Sequence, residues 1–544
     1  MRSTNEQQPL LSPSATTTVR DEWQHLNPGR KRLIVATTML TSFLANLDLT
    51  IVATCVPTIS SELYTSDQEA WIGTAYLWSS VTFTPLYGRL SDIIGRRTAY
   101  LQALTLFTLG TFCCGIAPNF TLLVIARFVA GMGGGGMSTV ASVLLADIFT
   151  PAERGFYQGL AFAFLGAGIG LGGPVGGYLT QWFGWRAAFY AQIPIAIVAI
   201  IQIILVVPHH VERLVSWNKL KEVDFGGALT LLISVGALLQ LLSRNAETQS
   251  ITQSPIDISM AITFPLFLIL FVYIELKVAA KPVLPISLLK KRTPLCVGII
   301  SGLIAAVNFN MIYHLPEFFE IVFEESVAKA GAHLLPSCVA LTISAPLMGY
   351  LCKKTLKYKW LTVVNCAGPV IAMSFFITMN DQSSWAVKWL AIIPMGAGFS
   401  GLLVLTLSAV LNSVEKHETA TASGYVFVWR SLGQVFGVGV SGALMQITLY
   451  RELHERFDSE DIINKLRHAS KAIEDLPEAW QQAQARKAYE ISLRKTFVFS
   501  LISAVLVLVV SFIIPDDKLK AQREPVEQQM PDSSDPRAAG EGSA

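Results

Sequence analysis

A chain that repeatedly strings together some twenty residues with scarcely a charge among them has few ways to fold in water. Fourteen such stretches recur here, at 33–59, 71–87, 99–116, 121–146, 155–180, 187–207, 225–242, 258–276, 295–313, 330–351, 361–379, 389–411, 423–447 and 497–514. About 20 apolar residues make a helix that crosses a hydrocarbon core of roughly 30 Å. Backbone groups in lipid must be paired within the segment, and these runs lack the alternation of barrel strands, so they predict helices. The expected fold is an all-α polytopic membrane protein with 14 transmembrane helices. Only 15% of residues are charged, against about 25% in soluble domains. A net charge of +2 gives no sign of a nucleic-acid partner.

Lys and Arg in the short loops set the orientation. Arg89, Arg96, Arg97, Arg154, Lys290, Lys291, Arg292, Lys353 and Lys354 fall on one side, and Arg186, Arg244, Lys329 and Lys388 on the other. The richer side is cytosolic, which puts the N-terminus there and, with an even helix count, the C-terminus too. The first thirty residues lack an apolar core, so no cleaved signal peptide is expected. Trp182, Trp185, Trp385 and Trp389 are predicted at the far interface as an aromatic belt. The sequon at Asn119 lies in a loop too short to clear the membrane.

The six residues from Pro85 to Leu90 reappear in kind from Pro346 to Leu351, each followed by a basic loop. A duplicated bundle around a central site is a transporter architecture. The expected division is a disordered cytosolic tail (1–32), a six-helix bundle (33–208) and a linker with two extra helices (209–292). A second six-helix bundle (293–515) with a long luminal loop (450–495) follows, then a disordered tail (516–544). Seven cysteines, from Cys55 to Cys366, lie in or beside apolar runs without paired or metal spacing and read as packing residues. No metal site, cofactor, catalytic residue or ATP site is expected, so the energy source would be a proton gradient and the chain would not be an enzyme.

The run Gly88-Arg89-Leu90-Ser91-Asp92-Ile93-Ile94-Gly95-Arg96-Arg97 combines turn-forming glycines with a carboxylate and anchoring guanidiniums. It resembles the signature of the major facilitator superfamily. The resemblance implies a charge lock between this loop and an acidic residue at the end of helix 4, where Asp147 stands. Asp48 in helix 1 and Arg127 in helix 4 are intramembrane charges, and a buried ion costs at least a few kcal/mol, so they are expected to pair. The stretch around Asp48 resembles that of the fourteen-helix drug:proton antiporter family, and Arg127 with Gly131 resembles its helix 4 motif. The glycines from Gly166 to Gly177, with Pro174, would let helix backbones touch. They also resemble an antiporter element, through Gly170, Pro174 and Gly177. An anchoring loop, a static ion pair and a packing stripe are the structural readings of the same residues. Arg430, a third intramembrane charge, is expected to snorkel near a helix end.

Further resemblance, to fungal vacuolar basic amino acid transporters, implies a proton antiporter moving such amino acids from cytosol to vacuole. Glu6, Leu10 and Leu11 fit an acidic dileucine signal, which implies a sorting adaptor as partner and a vacuolar membrane location. The other expected partners are the lipid bilayer and a small cationic solute, with the chain a monomer. The stretch from Tyr313 to Glu320 resembles a family motif but departs from it at Glu320, which joins Asn308 and Asn310 as candidate solute contacts. A plasma-membrane multidrug or toxin exporter is the alternative; a siderophore carrier and a non-transporting amino acid sensor are further ones.

Overall fold

The computed structural model describes residues 26–63, 65, 70–149, 151–208, 224–248, 255–279, 286–355, 357–414, 419–468 and 470–515. Residues 1–25, with the dileucine residues Glu6, Leu10 and Leu11, residues 516–544 and most of the charged 209–224 stretch lie outside them, while residues 28–32 of the expected N-terminal tail are instead the first turn of α1. Among the described residues the regular elements are helices. The first group is α1 (Pro28–Leu63), α2 (Ala70–Ile94), α3 (Arg96–Ile116), α4 (Phe120–Ile148), α5 (Pro151–Phe183), α6 (Trp185–Tyr190) and α7 (Gln192–Val206). Next come α8 (Phe225–Thr248), α9 (Pro255–Lys277) and the short α10 (Ile286–Leu289). The rest are α11 (Arg292–Val322), α12 (Val327–Ala332), α13 (Leu335–Thr355), α14 (Lys359–Thr378), α15 (Trp385–Leu390), α16 (Ile393–Ser413), α17 (Thr419–His454), α18 (Glu460–His468) and α19 (Ala479–Ile513). Gly95 (φ 88°) and Gly184 (φ 80°) make the tight turns before α3 and α6, in the left-handed region where a side chain is strained.

Among the described residues, twelve helical spans are long and apolar enough to cross a bilayer. One of the fourteen expected spans, in α2, falls short for a physical reason, while the apolar stretch of α8 runs over Phe225–Leu241 among the residues described. In α2, Thr74, Ser79, Thr82, Thr84 and Ser91 dilute the hydropathy; all five are buried. Elsewhere the outer surface is greasy, with Leu205, Ile269, Val364 and Ile502 exposed, as a lipid-facing surface requires.

The helices pack in two groups. In the first, α1 lies along α5 and α7, and α2 and α3 lie along α4. In the second, α11 lies along α17 and α19, α13 along α16, and α14 against α16 and α19. The groups meet mainly along α5–α13 and α2–α17. α8 packs on α9 and reaches α2 and α17, while α9 buries only Asp257, Phe271 and Glu275. Pro85 stands nine residues before the end of α2 (94−85) and Pro346 nine before the end of α13 (355−346), so the repeated hexapeptides occupy matching positions.

At the end carrying Arg96, here the basic end, Arg30 donates to the Val206 carbonyl (2.7 Å) and Arg97 to that of Ile204 (2.6 Å), tying α1 and α3 to α7. At the far end the 450–495 segment differs from the long loop that its polarity predicts. α17 runs on to His454 and α19 begins at Ala479, with α18 between them. Hydropathy does not register the first half of α19, from Ala479 to Lys495, because its residues are polar, yet Ala, Gln, Arg and Lys are strong helix formers. Asn119 caps α4, its side chain accepting from the Leu122 amide (2.9 Å). Trp182 and Trp385 are exposed, but Trp185 is buried and donates to Glu62 (2.8 Å), so it is a packing residue and not part of a belt.

Candidate functional site

Asp48 lies twenty residues into α1 (48−28), about 30 Å along it. Arg127 lies seven residues into α4 (127−120), about 10 Å from its far end. The two side chains meet there: Arg127 Nη1 donates to Asp48 Oδ2 at 2.6 Å, and both residues are 0% exposed. α2 completes the site. Arg127 Nε donates to the Ile72 carbonyl (3.1 Å), and the guanidinium lies 4.5 Å over the Tyr76 ring. Gly131, one turn on from Arg127, permits this approach, since a Cβ there would sit 2.2 Å from the Tyr76 carbonyl oxygen. Asp48 Oδ1 and Arg127 Nη2 are sealed from solvent without a hydrogen-bond partner. A buried ion pair holds only when its remaining lone pairs and protons are satisfied, so this one is incompletely stabilised. A proton on Asp48 would leave Arg127 with partners on α2.

α5 carries glycines on two faces. Towards α1, a Cβ on Gly168 would lie 2.5 Å from the Phe43 carbonyl oxygen, and one on Gly172 would lie 1.9 Å from Thr50 Oγ1. Towards the second group the packing is looser in places: Gly170 would press on Cys338 at 2.6 Å, but Gly177 would meet Ala328 only at 3.6 Å. Pro174 sits inside the continuous helix between these faces. α5 is thus joined backbone-to-backbone to the helix bearing Asp48 and also forms much of the surface between the groups.

At the basic end Arg96 bridges Asp92 (2.5 Å) and Asp147 (2.9 Å), and donates to Ser91 (2.8 Å). Gly88 has ordinary space beside Thr139, Gly95 makes the turn, and Arg97 turns away to α7. All partners of this cluster belong to the first group.

The expected solute contacts separate. Asn310 donates to the Thr496 carbonyl (2.9 Å) and Ser500 (2.6 Å), so it binds α11 to α19. Asn308 is buried with its amide nitrogen unpartnered, and Glu320 is half-buried near the far end of α11. Arg430 does not snorkel. It stands eleven residues into α17 (430−419), 6% exposed, against α16.

Two far-end clusters form in and beside the Tyr313–Glu320 stretch, and the partners that complete them, Ser441 and Phe319, are set by packing. Glu325 contacts Lys329 (2.9 Å) and His333 (2.8 Å), while His333 stacks on Phe319. Burial raises the Glu325 pKa, but hydrogen bonds from Lys329 and His333 outweigh it and hold the carboxyl below its ordinary value. His314 bridges Glu317 (3.0 Å) and Ser441 (3.2 Å), joining α11 to α17.

Residues 38–438 match the sequence model of the Major Facilitator Superfamily. The Multidrug resistance protein fnx1 of Schizosaccharomyces pombe is 32% identical over 473 residues, covering 85% of this chain and 88% of that protein. The Vacuolar membrane amino acid uptake transporter fnx2 of the same organism is 32% identical over 446 residues, covering 81% and 76%. Among solved structures, a bacterial homolog of the human lysosomal transporter Spinster, in an inward-facing and unoccupied conformation, superposes with a TM-score of 0.60. It shares 15% identity and covers 90% of this chain and 98% of that one, a likeness of fold.

Proposed function

From the premise that this chain belongs to the Major Facilitator Superfamily, and is a transporter and not an enzyme, we propose that it is a proton-coupled antiporter that removes small solutes from the cytosol. Asp48 carries the proton, and the observation that bears most weight is its sealed, under-satisfied pairing with Arg127. A site built only for stability would satisfy both groups or replace them with apolar residues. Protonation frees Asp48, while Arg127 keeps the Ile72 carbonyl and the Tyr76 ring. The Asp92–Arg96–Asp147 cluster at the cytosolic end is the gate that remakes its contacts as the two bundles rock. α2 and α8 complete a fourteen-helix count, of the drug:proton antiporter kind, with α8 and α9 between the bundles.

Multidrug or toxin efflux at the plasma membrane is the leading reading, supported by the long alignment with the multidrug resistance protein. Vacuolar uptake of amino acids, basic ones by the sequence resemblance, is the second, supported by the fnx2 alignment. A tenfold proton gradient supplies about 1.4 kcal/mol, enough for a tenfold solute ratio per proton. In proteoliposomes with an acidic interior, an added transported solute draws protons out, which a trapped pH dye records. Arginine, lysine and a cationic rhodamine are the panel. A response to the dye alone selects efflux, a response to the amino acids selects the vacuolar reading, and no response to any defeats proton coupling of these solutes. Imaging a tagged chain with and without Leu10→Ala/Leu11→Ala tests location and adaptor binding separately.

A further inference from the structure

Arg430 is a buried cation that proton coupling leaves unused. It lies about 16 Å into α17 from the cytosolic end, with 6% of its surface exposed. Its Nη2 donates to the Leu403 carbonyl (2.7 Å) and to Thr406 Oγ1 (3.3 Å), both on α16. Phe427 on its own helix stands 5.6 Å from the guanidinium carbon, and Phe162 of α5 stands 5.8 Å away across the boundary between the groups. Among the described residues no carboxylate pairs with it. Nε and Nη1 make no hydrogen bond there, and unlike Arg127 Nη2 they are not sealed.

A guanidinium has five donors, and neutral acceptors take up only part of its charge. An unpaired charge inside a membrane bundle is costly and marks a solute path by default. The two nitrogens left over, Nε and Nη1, lie on either side of Cδ, so each is a separate charge-assisted donor to one carboxylate oxygen and not one edge of a bidentate fork, with aromatic rings for the rest of the molecule. We propose that Arg430 anchors a carboxylate of the transported solute, between α5, α16 and α17. The substrate class is then a carboxylate-bearing solute, such as an amino acid zwitterion or a carboxylated aromatic, and not a plain organic cation. Asp48 lies about 30 Å along α1 from the same end, so proton and solute occupy sites at different depths. They are linked through the movement of the bundles and not through direct competition. This proposal rests on the transporter reading, but its test does not need a gradient.

Binding is measured on the full chain in detergent with two matched pairs: arginine against agmatine, and a carboxylated rhodamine against its methyl ester. The expected result is that at least one carboxylate-bearing probe binds about tenfold or more tightly than its twin, the scale of one charge-assisted hydrogen bond. Arg430→Gln should erase that preference, Arg430→Lys should keep part of it, and Thr406→Val should weaken it less than Arg430→Gln does. Unchanged melting and elution establish that the variants are folded. If Arg430→Gln does not fold, Arg430→Lys and Thr406→Val decide, and a wild-type preference in both overturns the proposal. No preference in either pair for the wild type, or a full preference in folded Arg430→Gln, overturns it too. A failure of proton coupling appears instead in the proteoliposomes, with the binding preference intact.

Discussion

A carboxylate at Asp48 and a guanidinium at Arg127 are each unaffordable alone in lipid, and the contact between them explains why both can persist. It also fixes what single substitutions do. Arg127→Gln leaves the Asp48 carboxylate buried without its partner and should destabilise the chain by about 3–5 kcal/mol, read as a large fall in melting temperature in detergent. Asp48→Asn keeps a side-chain oxygen for Arg127 and should cost less; an equal loss in both variants would contradict the unequal roles assigned to them. At the far end, Glu325 titrates with a lowered pKa because Lys329 and His333 donate to its carboxylate. Its contribution to stability is present above the unfolded value of about 4.3. It is lost as pH falls through the lower folded value. Melting of the wild type should therefore drop more steeply below about pH 4 than melting of Glu325→Gln, and parallel curves would refute the contact.

At the scale of elements, apolar length and unbroken hydrophobicity were enough to find most helices in the sequence, because lipid leaves the backbone no other choice. The partnership of Asp48 with Arg127 was also legible, since a charge in each of two apolar runs demands a companion. Legibility failed where a property belongs to packing. The depth of Arg430 depends on where α17 begins, and the tie between the Asn310 amide and α19 depends on how the two helices meet. The polar helical half of α19 was hidden because hydropathy measures transfer to lipid and not helix propensity. The two faces of α5 likewise needed neighbours to tell them apart. Gly172→Ala would drive a methyl group into Thr50 and the Leu47 carbonyl, and overpacking of this kind costs about 1–3 kcal/mol. Gly177→Ala meets nothing closer than 3.6 Å and should stay within about 0.5 kcal/mol of wild type. Thermal denaturation of both variants checks the contrast.

For the whole molecule, the account requires two bundles that part and close at the far end. There a Cβ on Gly177 would lie 3.8 Å from the Ala328 Cβ, at disulfide spacing. The described native cysteines are buried or half-buried, so an added pair can be oxidised selectively. Oxidised Gly177→Cys/Ala328→Cys should stop solute flux, and reduction should restore it; undiminished flux in the oxidised protein would exclude rocking at this seam. The central claim is that Asp48 exchanges the proton that drives the solute. It is tested most directly by recording solute-triggered proton efflux from acid-loaded proteoliposomes for wild type and Asp48→Asn, with a cooperative melt above the assay temperature and unchanged elution as the control for folding. The account expects alkalinisation of the interior in wild type and none in Asp48→Asn. A wild-type rate of proton movement in the folded variant would contradict it.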